Sequence, residues 1–174
     1  MSRSVRQLNQ LKGAKTQTAV TGIPMNVGTM VPGLTQLGPD HPHNFSKLGK
    51  KYLEAAKALN TRHPNEPDWP TFFLVCQSLE LYLKAFLRTR GVPVEDLIKR
   101  KIFGHDLGLG LDKAMKVGLD KTLEFTDDLR GCVAVINQPY KDRDFQYKHS
   151  GSWELIHISP LISLVEAVGR KLDY

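Results

Sequence analysis

A chain of 174 residues can bury a core of its own, and its two cysteines, Cys76 and Cys132, each lie in an apolar helical pattern and form no C-x-x-C pair, so they read as buried thiols and speak against a disulfide framework. The net charge of +6 is shared along the chain: residues 1–40 hold four Lys/Arg and Asp40, and the remainder holds twenty Lys/Arg against seventeen Asp/Glu, so charge alone demands no nucleic acid. Gly22, Pro24, Gly28, Pro32 and Gly33 interrupt every apolar run near the start and no other stretch approaches membrane-spanning length, so the expectation is a soluble cytoplasmic protein with neither leader nor membrane contact.

Residues 1–40 read as a loosely structured basic arm, rich in glycine, proline and threonine, with a short strand around Thr18 to Thr21 as one local option. Residues 41–174 read as an all-α domain. Phe45, Leu48, Tyr52, Ala56 and Leu59 recur at helical steps after Asn44, a suitable N-cap. Asp68 and Pro70 then cap and open a second helix, in which Phe72, Val75, Cys76, Leu79, Tyr82, Leu83, Phe86 and Leu87 form the widest apolar stripe in the chain. Arg88 and Arg90 suit its C-terminal dipole, and Gly91 with Pro93 stops it. The central core helix is expected here.

A short helix is expected over Val94 to Lys101, and another opens at the N-cap Asp106, with Leu107, Leu111, Ala114 and Met115 inward. Thr126 caps a segment whose face of Leu129, Cys132, Val133 and Ile136 ends at Asn137 and Pro139. Residues 140–152 are irregular. Trp153, Leu155 and Ile156 lead to the cap Ser159 and Pro160, opening a last helix with Leu161, Leu164, Val165, Val168 and Leu172 inward. Five or six helices with ordinary connections imply an antiparallel bundle.

The run from Gln77 through Leu87 to Gly91, followed by Gly104-His105-Asp106-Leu107 and then Leu111 and Ala114, resembles the HEPN superfamily (higher eukaryote and prokaryote nucleotide-binding domains) over about residues 44 to 149. The resemblance implies a bundle of four or more helices. Many members are metal-independent ribonucleases with an Arg, four to six residues, and a His. Arg143 to His149 fits that spacing, with Asp144 in the polar place after the Arg. The resemblance therefore implies a ribonuclease in which His149 moves protons, Arg143 steadies phosphorane charge and Asp144 orients one of them. Lys141 and Lys148 are the candidate RNA or phosphate contacts. No cofactor and no metal is implied, two chains are expected to pair, and an antitoxin or other protein is a partner of the kind the family uses in toxin–antitoxin and defence systems. The alternative is a noncatalytic helical module that binds RNA, a nucleotide or a protein.

Other candidates have simpler explanations. Asp40, His41, His43 and His63 flank Pro42 without an ordered ligand set, and read as linker residues. His105 and Asp106 read as helix-start residues, and Glu80, placed beside the core stripe where it could also reach a cation on another helix, reads with Lys84 as a surface pair. The basic group Arg88, Arg90, Lys99, Arg100 and Lys101 complements helix dipoles. No P-loop or Gly-x-Ser-x-Gly occurs, and Gly108 and Gly110 fall in a helical pattern with no strand ahead. Since residues 1–40 supply few periodic apolar positions, truncation at His41 is expected to leave one cooperative thermal transition, and its loss would show that the arm is part of the folded core.

Overall fold

The structure, a computed structural model, describes residues 41–62, 64, 68–99, 103–147 and 156–172, all within one compact unit. Among them every element is helical: α1 (Pro42–Arg62), α2 (Trp69–Thr89), α3 (Val94–Ile98), α4 (Leu107–Lys116), a 3₁₀ turn at Leu119–Lys121, α5 (Thr126–Lys141), α6 (Asp144–Tyr147) and α7 (Ile158–Lys171). No helix of these residues is long and apolar enough to cross a membrane. The arm, the Thr18 to Thr21 option, Asp40, His63, Arg100, Lys101, Trp153 and Leu155 lie outside the described residues.

Among the described residues seven α-helices stand where five or six were expected, because the stretch around residue 145 contains a helical turn, α6, that shows no periodicity over so short a length. Several bounds also shift. α1 begins at Pro42 instead of after Asn44, since proline is harmless in a first turn, and the Asn44 N–H already bonds the His41 carbonyl at 2.9 Å. α5 runs through Pro139 to Lys141 instead of stopping at Asn137. The proline forfeits one hydrogen bond in the last turn, while Ile136, Pro139 and Tyr140 are all buried and hold that turn against the core. Thr126 and Ser159 lie just inside their helices, behind Phe125 and His157.

α2 is the core helix, packed against α1, α4, α5, α6 and α7. All eight residues of its apolar stripe are buried. Its stop follows the sequence: Gly91 takes a left-handed backbone at φ 81°, which lets the Val92 N–H reach the Leu87 carbonyl at 3.1 Å. α1 and α7 run antiparallel, tied from end to end by Ser46 Oγ to the Leu172 carbonyl (3.3 Å), Lys57 Nζ to Glu166 Oε1 (2.9 Å) and Asn60 Nδ2 to Ser159 Oγ (3.3 Å). Close approach needs glycine at Gly169, where a Cβ would sit 2.6 Å from the Tyr82 ring.

At the other end of α2, the buried Phe145 of α6 stacks on Phe72, with centroids 5.5 Å apart, and tilts against Trp69 at 5.7 Å. These contacts fix a four-residue helix too short to hold itself, and with it the turn that carries Arg143. Of the two thiols, Cys76 is fully buried and Cys132 only half-buried, where both read as buried from the sequence. Leu79→Ala, at a fully buried position of α2, is expected to cost about 2–5 kcal/mol in denaturant unfolding.

Candidate functional site

The apolar stripe of α2 is interrupted by charge. Glu80 is only 1% exposed and Lys84, one turn on, is 9% exposed, with Lys84 Nζ 2.5 Å from Glu80 Oε1. The pair forms at the expected spacing but in the interior, which corrects the surface assignment: α4, α5, α6 and the turn before α4 cover the flank of α2 that periodicity leaves outside the stripe. A buried carboxylate must find donors from other elements. Glu80 Oε2 accepts from Tyr140 Oη at 2.6 Å and faces His105 Nδ1 at 3.0 Å. Tyr140 Oη is also 2.8 Å from Gln77 Oε1, and its ring meets the His105 ring edge-on with centroids 6.1 Å apart. Lys84 Nζ in turn lies 5.1 Å from the centre of the buried Phe103 ring.

Burial by itself raises the Glu80 carboxyl. The hydrogen bond from His105, the charge and hydrogen bond of Lys84, and the Tyr140 hydroxyl outweigh it and hold the group below its ordinary value. Tyr140 moves the opposite way: burial and the neighbouring Glu80 charge push its hydroxyl far above the usual tyrosine range, so it stays a neutral donor.

His105 and Asp106 divide their work. Asp106 is the N-cap expected of it, accepting from the Leu109 N–H at 3.1 Å. Its Oδ1 also accepts from Asn137 Nδ2 (3.0 Å), Oδ2 faces Lys141 Nζ (2.9 Å), and Asn137 Oδ1 accepts from the Gly108 N–H (3.2 Å). Desolvation opposes ionisation of Asp106, but the Leu109, Lys141 and Asn137 contacts lower its carboxyl overall. Asp106 thus ties the start of α4 to α5, whereas His105 points to α2 and is more than a helix-start residue. His105 is 47% exposed beside the 1% of Glu80.

Arg143 sits in the turn between α5 and α6 with φ 65°, the one positive value on a non-glycine residue among those described. A left-handed backbone costs an L-residue about 1–2 kcal/mol. It is held there because the Arg143 N–H bonds the Tyr140 carbonyl (3.1 Å), ending α5, while the Arg143 carbonyl accepts from Gln146 (3.0 Å) and Tyr147 (3.2 Å), opening α6. With Lys84, Ile98, Gly104 and His105, Arg143 lines a pocket of about 280 Å³. Asp144 is half-buried at the start of α6, where its charge suits the helix dipole. Lys141 is exposed but engaged by Asp106, whose hydrogen bond and charge raise its ammonium. Lys148 and His149 lie outside the described residues.

The structure therefore brings Arg143 beside Lys84 and His105, which read from the sequence as a surface partner of Glu80 and a helix-start residue. The signal was present in part: a Glu and a Lys one turn apart on the most apolar helix are costly unless partnered, and the partners come from residues 25 and 60 positions away. No family model, curated protein or solved structure matches the chain.

Removing Glu80 leaves Lys84 uncompensated, so Glu80→Ala is expected to cost about 3–5 kcal/mol in denaturant melts. Tyr140→Phe, which deletes one buried hydroxyl, is expected to cost about 1–3 kcal/mol. Because the Glu80 carboxyl is lowered in the fold, its contribution is complete above the unfolded carboxyl value of about 4.3 and is lost as pH falls through the folded value. Glu80→Gln should accordingly show a shallower loss of stability from pH 5 downward than the wild type, by about the Glu80 share of the slope. Equal slopes would place the acid sensitivity in other groups, Asp106 foremost.

Proposed function

We propose that this chain is a HEPN-like cytoplasmic protein that acts on single-stranded RNA as a metal-independent endoribonuclease. The observation that carries the reading is the placing of Arg143: a strained turn, anchored by Phe145, presents it on a pocket that Lys84 and His105 also line. A guanidinium with an imidazole between a buried carboxylate and open space suits a phosphodiester. The guanidinium attracts its oxygens, and a permanently charged Arg can stabilise the charge that builds as the 2′-oxygen attacks phosphorus. In this reading Arg143 supplies that stabilisation, His149 moves protons and Asp144 orients one of the two by a hydrogen bond. Two chains pair about a twofold axis so that both segments face one groove. Lys148 adds a backbone contact. Lys141 does so only by exchanging Asp106 for phosphate, which makes it a weaker candidate than Arg143.

A noncatalytic binding module is the second reading, favoured by a second basic hollow of about 550 Å³ lined by Arg90, Lys116 and Lys121 with Asp120. Such a surface follows a phosphate backbone without chemistry.

One experiment separates the two. Wild type, Arg143→Ala and His149→Ala are incubated with mixed-sequence single-stranded RNA in EDTA, and both cleavage and binding are followed. The ribonuclease reading expects wild-type cleavage that persists in EDTA and falls by about two to four orders of magnitude in each variant, with melting temperatures nearly unchanged. Wild-type rates in either variant would remove that residue from the site. Binding without cleavage by the wild type would establish the second reading in place of the first.

A further inference from the structure

We propose that His105 is a catalytic residue of this site, accepting the proton of the attacking 2′-hydroxyl of RNA, and that Glu80 is its positioning residue. The proposal rests on the RNA-cleaving reading and adds to it a histidine outside the Arg143 to His149 segment.

Geometry carries it. An ionised carboxylate only accepts hydrogen bonds, so Glu80 Oε2 at 3.0 Å fixes the proton of a neutral His105 on Nδ1 and leaves the lone pair on Nε2. The ring is held on one side by a group that is 1% exposed, yet it is itself 47% exposed and lines the same pocket as Arg143. Of the three side chains that satisfy Glu80, only His105 is half-exposed. Lys84 already supplies a counter-charge and Tyr140 a short hydrogen bond, both from buried positions. What His105 adds is a fixed, solvent-accessible base. The edge-on Tyr140 ring and the backbone turn at Gly104 restrict it further. A carboxylate, a histidine oriented through Nδ1 and an adjacent cation form the arrangement by which a weak nucleophile is activated next to a site for developing negative charge.

The step balances without a cofactor. The 2′-oxygen forms a bond to phosphorus as its proton passes to Nε2 of His105. The bond from phosphorus to the 5′-oxygen breaks, and that oxygen takes a proton from an acid, the part the RNA-cleaving reading gives His149, which solvent then reprotonates. The products are a 2′,3′-cyclic phosphate and a 5′-hydroxyl end, and the imidazolium returns its proton to solvent. Arg143 faces the phosphoryl oxygens throughout, while Lys84 stays bound to Glu80. Tyr140, neutral, keeps Glu80 aligned, and Asp106 is occupied by α4 and Lys141.

The test uses the full chain under single-turnover conditions in EDTA with a labelled mixed-sequence single-stranded RNA, reading rate, affinity and end chemistry together. His105→Ala should lower the cleavage rate about a hundredfold or more with RNA affinity within about twofold of wild type. Free imidazole should restore part of the rate to His105→Ala, which a purely structural role would not allow. His105→Asn, whose amide can still donate to Glu80, should fold and be equally slow. Glu80→Gln should reduce the rate about tenfold while leaving affinity unchanged, the split expected of a residue acting through another. If the wild type cleaves and both His105 variants cleave at its rate, the assignment of His105 fails and the RNA reading stands. If the wild type binds or ignores RNA without cutting it, both fail together.

Discussion

The constraint on which the rest of this structure depends is a carboxylate buried in the middle of its most apolar helix. Glu80 is buried within α2, the helix that every other long helix touches. Burying it unpaired would cost several kcal/mol, so the fold must deliver donors to it. Lys84 comes from the same helix, one turn on. The others must come from distant segments, and their arrival defines the architecture at this end: Tyr140 requires α5 to continue past Pro139, and His105 requires the turn before α4 to lie across α2. An apolar residue at position 80 would pack without any of this. It would leave the positions of α5 and of the residue 103–106 turn to side-chain fit alone, which specifies arrangement less sharply than hydrogen bonds of fixed direction.

The neighbouring residues His105 and Asp106 show how a short turn can distribute such constraints. One reaches α2 and the other reaches α5, while Tyr140 of α5 reaches the same Glu80 that His105 does. The three segments are thus closed into a ring of polar contacts, and displacing any one of them breaks bonds to both of the others. Arg143 inherits its position from that ring. Its backbone ends α5 three residues after Tyr140, and Phe145, clasped by Trp69 and Phe72, keeps the next turn on α2. Strain at a non-glycine residue persists where packing on both sides over-determines it, and here an aromatic cluster and a hydrogen-bonded core hold the two ends.

Much of the fold was legible in the sequence because it rests on periodicity. The stripe of α2, the inward faces of α4, α5 and α7, the cap at Asp106 and the stop at Gly91 all follow from local chemistry, and they occur as that chemistry requires. Element ends were less legible. Pro139 and Ser159 carry strong local preferences that one turn of buried packing overrides, as at Ile136 and Tyr140. Of the residues lining the pocket, Arg143 is the one to which the sequence attaches a functional expectation. Glu80 with Lys84 has the spacing of an exposed helical pair, and nothing local distinguishes that from a buried pair whose other partners lie far along the chain. The clue available was that the part of α2 outside the stripe, which carries both residues, also carries Leu81 and Ala85, leaving little of α2 to face water.

That last point bears on why the polar residues take these positions. A helix buried on nearly every side offers no exposed face on which to build a site, so chemistry must be brought to it through a seam between its neighbours. The seam here lies between the turn at residues 103–106 and the turn at Arg143, and Lys84 of α2 lines the same pocket. A histidine on an exposed helix face would be free to turn in solvent, with its two nitrogens equivalent in practice. Across this seam it is anchored from within by a charge that cannot move, and only one nitrogen is left for whatever enters. The asymmetry between an immobile inner carboxylate and a half-exposed ring comes from the burial of α2 itself, which makes the same packing responsible for the stability of the helix and for the directionality of the imidazole beside Arg143.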